Sequence, residues 1–266
     1  RPMALYVGYW CLMISLYIYL AVRLYPLISL IVDEPIKYLL FAHLVFLMPL
    51  AILIMMQIVD PGFITGDNID DFLKIYPYDH HIYFPRWCNM TKLPAVARSM
   101  YSQYDDCRVA KYFFYSRWTN VVIGEKNLRL YVLFIVFNVI GVLFEVSTIV
   151  RVLYCRGIIE MDQLGPDISL STKITSFITN LFSSENSDLA MIVIPLIFVL
   201  SSLLSFLKKQ AKRITKNVTP YEEQFLTNCS TNGGKGFYDY GPLYNWFDTL
   251  FPPSLFGPDP PLPEVS

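Results

Sequence analysis

Asp79, His80 and His81 stand side by side, and a carboxylate beside two imidazoles can pass protons or hold a metal. The string runs into Ile82 and lies ahead of Cys88. It reads as a chance neighbourhood, with local phosphate or metal contact as its functional reading. Nucleophilic chemistry needs a thiolate or an activated hydroxyl. The five cysteines, Cys11, Cys88, Cys107, Cys155 and Cys229, are scattered with no C-x-x-C pair, so spacing gives neither a disulfide framework nor a zinc site. Arg108 and Lys111 flank Cys107, and positive neighbours lower a thiol's pKa. Cys107 reads as a free thiol, with a reactive nucleophile as the alternative. Asn138, Glu145 and His43 fall inside apolar runs, where polar groups are costly and face other helices. Glu145 and Asn138 read as interhelical hydrogen-bonding groups, with the polar lining of a lipid cavity as the alternative.

The elements that must position these groups are membrane spans. At 54% hydrophobic and only 16% charged, the composition lies on the membrane side of globular proteins. A net charge of -1 gives no overall pull toward nucleic acid. Crossing the hydrocarbon core takes roughly 20 residues of helix. Four apolar segments meet that length: 3–22, 38–59, 130–153 and 189–207. The first has too long an apolar run for a signal peptide and no small-residue cleavage site after it, so it reads as a true span. Asp33, Glu34 and Pro35 make a short connector, and the first helix has room to run on toward Val32. Lys208, Lys209, Lys212, Arg213 and Lys216 follow the fourth span, whereas 154–188 holds only Arg156 and Lys173. Positive charge marks the cytosolic side. The expected organisation is therefore a transmembrane hairpin (1–59), a cytosolic domain (60–129), two further spans with a luminal loop at 154–188 (130–207), and a cytosolic tail (208–266). That tail ends in Pro252, Pro253, Pro258, Pro260, Pro261 and Pro263, which cannot continue a helix. The fold class is an all-α membrane protein of four transmembrane helices, with both termini cytosolic.

Several ordered motifs sit on this frame. Ala97, Arg98 and Ser99 are followed by Val109 and Ala110, then by Trp118, Asn120, Ile123, Gly124, Glu125 and Asn127. Asp60, Pro61 and Gly62 come just after the second span. Asn217, Thr219 and Glu222 come after the fourth, with 238–241, Asn245 and Phe251 beyond them. In order and spacing the chain resembles the DHHC family of protein S-acyltransferases, the palmitoyltransferases. Pro220 departs from that family's NxTTxE pattern. The resemblance implies a zinc-bound, cysteine-rich cytosolic domain between the second and third spans. It also implies a cysteine thiolate acylated by acyl-CoA that passes the acyl group to a substrate thiol, with histidine as base.

The positions aligned with Asp-His-His-Cys are Phe113, Phe114, Tyr115 and Ser116, so neither base nor thiol remains. A serine hydroxyl needs an activating base, and a tyrosine is no substitute for histidine at neutral pH. Of the family's zinc ligands only Cys88 is kept. The others fall on Thr91, Tyr101, Ser102, Asp105, Arg108 and Val122, which cannot build two structural zinc sites. Such a site stabilises finger peptides by roughly 10 kcal/mol or more. Its replacement is expected from Tyr101, Tyr104, Phe113, Phe114, Tyr115, Val121 and Val122, a metal-held fold made hydrophobic. The expectation is a degenerate, formerly zinc-finger-like domain in a pseudoenzyme of the endoplasmic reticulum or Golgi, acting as scaffold or regulator. No cofactor is expected. Partners are membrane lipid, an acyl chain in the helix bundle, and a protein client or catalytic relative, with no nucleic acid. One alternative is an active S-palmitoyltransferase using Cys107 or Cys88 as a displaced thiol, which would need zinc and acyl-CoA. Another is an unrelated four-span binding or transport protein.

Overall fold

The structure is a computed structural model and describes residues 3–163, 169–183, 185–228 and 236–255. Cys229 and the prolines from Pro258 onward lie outside the described residues. Helices dominate. α1 (Ala4–Tyr19) continues through a π-helical turn, Leu20–Leu24, and a 3-10 segment, Tyr25–Leu30. Pro26 causes the change, because its ring and missing amide proton spoil the α pattern of the preceding turn. α2 (Pro35–Ile58), α4 (Leu128–Gln163) and α6 (Ser187–Thr215) follow, with the short α3 (Ile69–Ile75) and α5 (Leu170–Leu181) before α4 and α6 respectively. Among the described residues, four helical segments are long and apolar enough to cross a membrane: Ala4–Leu30, Pro35–Ile58, Leu128–Gln163 and Ser187–Thr215. Each contains one of the four apolar segments, but for Met3 and Val59. Helix α4 outruns its apolar stretch because Arg156, Glu160 and Asp162 end the hydrophobicity without ending the helix. Ser169 caps α5 by accepting the Thr172 amide, so much of 154–188 is helical.

By contacts the chain forms two units. The spanning unit comprises residues 7–51 and 134–206. Its core joins Leu20, Leu24 and Ile28 to Ile149, Val152, Leu189 and Leu196. Polar groups there are bonded between helices: the Tyr9 hydroxyl to Asn138 at 3.2 Å, Tyr25 to Glu145 at 3.3 Å, and Arg23 to Asp188 at 2.6 Å. At Gly157 an added Cβ would lie 2.3 Å from the Phe177 ring, so the glycine is what lets α5 pack on α4.

The motif-bearing unit comprises the described residues up to Tyr6, residues 52–133 and the described residues from 207 onward. Among its described residues are seven short strands: β1 (Phe63–Ile64), β2 (Trp87–Cys88), β3 (Leu93–Pro94), β4 (Met100–Ser102), β5 (Cys107–Val109), β6 (Phe114–Ser116) and β7 (Val121–Ile123). The order β1-β5-β4 makes one antiparallel sheet, and β2-β3 and β6-β7 make two hairpins. Strands this short are held by packing on Ile64, Ile69, Phe72, Tyr76, Val96 and Ala97. Lys92, Arg98, Asp106, Lys111 and Asn120 adopt positive φ, so tight turns recur between the strands. Helices α7 (Pro220–Asn228) and α8 (Pro242–Leu250) complete the unit.

Candidate functional site

Phe114, Tyr115 and Ser116 form β6, paired in register with Ile123, Val122 and Val121. Phe113 precedes the strand, is buried, and donates its amide to the Ile123 carbonyl. Phe114 packs edge-on against Tyr131 at 5.3 Å. The Tyr115 ring stacks on Tyr104 at 4.0 Å, and its hydroxyl donates to Asn120 at 2.5 Å. Ser116 is buried; its oxygen accepts the Thr119 amide at 3.4 Å and is hydrogen-bonded to the Tyr131 hydroxyl. An amide and a phenol are no bases at neutral pH, so this arrangement does not activate the serine. The four positions act as an aromatic clasp on a hairpin.

The positions aligned with zinc ligands have found partners among themselves and their neighbours. Cys88 on β2 takes hydrogen bonds from Thr91 and from the Arg108 guanidinium of β5. Burial alone would raise the Cys88 thiol, but these bonds outweigh it and bring the pKa down to about 6. Arg108 is buried and also donates to the Ser99 hydroxyl and carbonyl, at 3.0 and 2.8 Å. Ser102 donates to Asp105 at 2.9 Å, Tyr101 is bonded to Asp106, and Val122 faces Tyr115 across the hairpin. A guanidinium is itself a cation with donors only, and cannot ligate zinc. Among the described residues, no three His, Cys, Asp or Glu side chains come together as a ligand set. The residues present do not fit a zinc ion.

The remaining motif residues are structural joints. Asp60 accepts the Gly62 and Phe63 amides at 2.9 and 2.8 Å and meets Lys126 at 3.2 Å. Gly62 sits at φ +104°, and its carbonyl takes the Ala110 amide. The Pro61 carbonyl lies against Gly124, where an added Cβ would come within 2.4 Å. Arg98 is buried and bidentate to Glu222, Nε to Oε1 at 2.9 Å and the second nitrogen to Oε2 at 3.0 Å. It also donates to the Asn217 side chain and carbonyl, and its cation lies 4.4 Å from the Tyr238 ring centroid. Thr219 and Glu222 exchange amide bonds as a capping box that starts α7, at 2.7 and 3.3 Å. Asn245 donates to the Thr215 carbonyl and to Asp239.

A family model for the DHHC palmitoyltransferases matches residues 81–226, more than half of the chain. The chain belongs to the DHHC palmitoyltransferase family. Among curated proteins it is similar to palmitoyltransferase swf1 of Schizosaccharomyces pombe, 30% identical over 80 residues. That stretch is 30% of this chain and covers 22% of the relative.

Within this DHHC-family chain, the string Asp79, His80, His81 is a turn. Asp79 accepts the amides of His81, Ile82 and Tyr83 at 3.1, 2.9 and 2.8 Å, and His80 packs near Phe84 and Tyr78. Cys107 begins β5, half-buried, and pairs with Ser102; Cys11, Cys88, Cys107 and Cys155 are all free thiols. An open pocket of about 210 Å³ lies beside the end of α2, lined by Gln57, Asp60, Phe63, Asp105 and Val122 among others. Two of those are zinc-ligand positions of the DHHC pattern. The sequence does not show that Lys111 is buried and paired with Asp248 at 2.6 Å, nor that Glu125 is buried, where burial pushes its carboxyl up against the opposing charge of Lys111. No local pattern announces the Lys111–Asp248 pair, because Asp248 comes from a distant part of the chain.

Proposed function

We propose that this DHHC-family membrane protein has lost acyl transfer and works as a scaffold or regulator. The observation that carries the reading is the state of the four tetrad positions. Phe113 and Phe114 are packed, the Tyr115 ring is stacked, and Ser116 is buried against an amide and a phenol. The arrangement around Arg108 and Cys88 supports folding without zinc, since the cation is supplied by a side chain. In this reading the chain sits in an endoplasmic reticulum or Golgi membrane with both termini and the motif-bearing unit cytosolic, as the lysine and arginine run 208–216 favours. An acyl chain held by the spans and a protein client or catalytic relative are the partners proposed for it.

The second reading is acyl transfer through a displaced thiol, and one observation favours it: the lowered pKa of Cys88 makes a thiolate at neutral pH. Against it, Cys88 lies on a strand with its sulfur engaged by Thr91 and Arg108. Labelling cells with a clickable palmitate analogue, followed by hydroxylamine, separates the two. The scaffold reading expects no thioester that depends on Cys88 or Cys107. A label lost in Cys88→Ser or Cys107→Ser, together with transfer to a second protein, establishes the enzyme instead.

A further inference from the structure

Glu125 is 2% exposed, and the polar groups around it come from several elements of the motif-bearing unit. Tyr76 ends α3, Lys111 stands in the turn between β5 and β6, and Asp248 lies on α8. Ser254 lies in a 3-10 turn, Pro253–Leu255, that packs on α3. Arg98 stands behind Tyr76, 5.9 Å from its ring centroid. Lys111 is paired with Asp248 and Arg98 with Glu222, so both of these cations already have a carboxylate. An ionised Glu125 would add one unmatched negative charge to a buried site, where charge is costly.

The hydrogen bonds agree with a neutral carboxyl. The Ser254 amide donates to Glu125 Oε1 at 3.3 Å and ties the turn down. The hydroxyls of Tyr76 and Ser254 also lie beside this carboxyl. An ionised Oε2 would draw both into short, charge-assisted bonds. Instead Glu125 Oε2, Tyr76 Oη and Ser254 Oγ are buried with no partner among the described residues. A proton on Oε2 removes the unmatched charge and makes that oxygen a donor, which a neighbouring hydroxyl oxygen can accept. Burial raises the Glu125 carboxyl above its ordinary range and Asp248 adds to this, together outweighing Lys111 and the Ser254 bonds. Opening the turn would let water reach the carboxyl, so the covered state holds the proton more tightly than the open one, and loss of the proton favours opening.

We propose that the turn at 253–255 is a proton-operated strap, closed over Glu125 while that carboxyl carries a proton and opened when the proton leaves. The test places a fluorine-labelled phenylalanine at Leu255, which is 44% exposed at the end of the turn, in the full chain in nanodiscs. Its fluorine resonance is followed as pH rises. A docked resonance at acid pH is expected to give way to an open one, with a midpoint above the ordinary glutamate value of about 4.3. Between the open-state and covered-state values the docking constant falls by about tenfold for each pH unit. Glu125→Gln, neutral and of the same shape, is expected to keep the docked resonance at every pH. The infrared carbonyl stretch of a protonated carboxyl should appear in the acid-pH difference spectrum between wild type and Glu125→Gln. A turn that stays docked at every pH, or one that opens on acidification, overturns the proposal. So does a transition that persists in Glu125→Gln, or a Glu125→Gln chain that opens or fails to fold.

Discussion

Replacing Arg98 by alanine strands the Glu222 carboxylate in a buried site, and breaking one half of such a pair costs about 3–5 kcal/mol. Arg98→Ala is therefore expected to lower the thermal unfolding midpoint of the purified protein more than any substitution on the exposed face of α3, and an unchanged midpoint would refute the joint between 98 and 222. Cys88 gives a second test at this scale. Its folded pKa of about 6 lies below the ordinary thiol value of about 8.5. The folded state thus favours the thiolate, and the resulting stabilisation is complete above the ordinary value and lost as pH falls through about 6. Iodoacetamide modification of Cys88 should rise with a midpoint near pH 6, and Arg108→Gln should move that midpoint upward. A midpoint unmoved by Arg108→Gln would exclude the guanidinium as the thiolate's partner.

The corner built by Pro61, Gly62 and Gly124 carries the burden at the scale of elements. A Cβ on Gly124 meets the Pro61 carbonyl and Val109 at 2.4 Å, and neither is the free end of a flexible chain. Gly124→Ala is expected to destabilise by about 1–3 kcal/mol, as overpacked cores do, read by chemical unfolding in detergent. A neutral result would mean the corner opens easily. Sequence alone made the spans legible because their apolar runs are long and few charges interrupt them. It made the α7 cap legible because Thr219 and Glu222 stand three residues apart. The reach of α4 to Gln163 and the helix α5 were not legible, since Arg156, Glu160 and Lys173 read as a polar loop although their helix propensity is good. Three of the tetrad positions are aromatic in the sequence itself, but their ring partners, Tyr104 on Tyr115 and Tyr131 on Phe114, come from the fold. The polar partners at the ligand positions were not legible in the sequence. Arg108 on Cys88 and Ser102 on Asp105 pair residues whose partnership only the strand register of β4 and β5 creates.

At the scale of the whole molecule, this is a DHHC-family membrane protein in which packing and hydrogen bonds occupy the positions aligned with the tetrad and the zinc ligands. Excess chelator should leave the unfolding midpoint of the purified protein unchanged, and metal analysis should find no stoichiometric zinc; a large drop in the midpoint would mean that a metal still holds the fold. The central claim is the loss of acyl transfer. The measurement that tests it most directly is intact mass spectrometry of the purified chain in nanodiscs after incubation with palmitoyl-CoA. The account predicts an unshifted mass over a time in which an active relative acquires a palmitoyl group. A single palmitoyl adduct that is removed by hydroxylamine and mapped to Cys88 or Cys107, or an ester at Ser116, would contradict it.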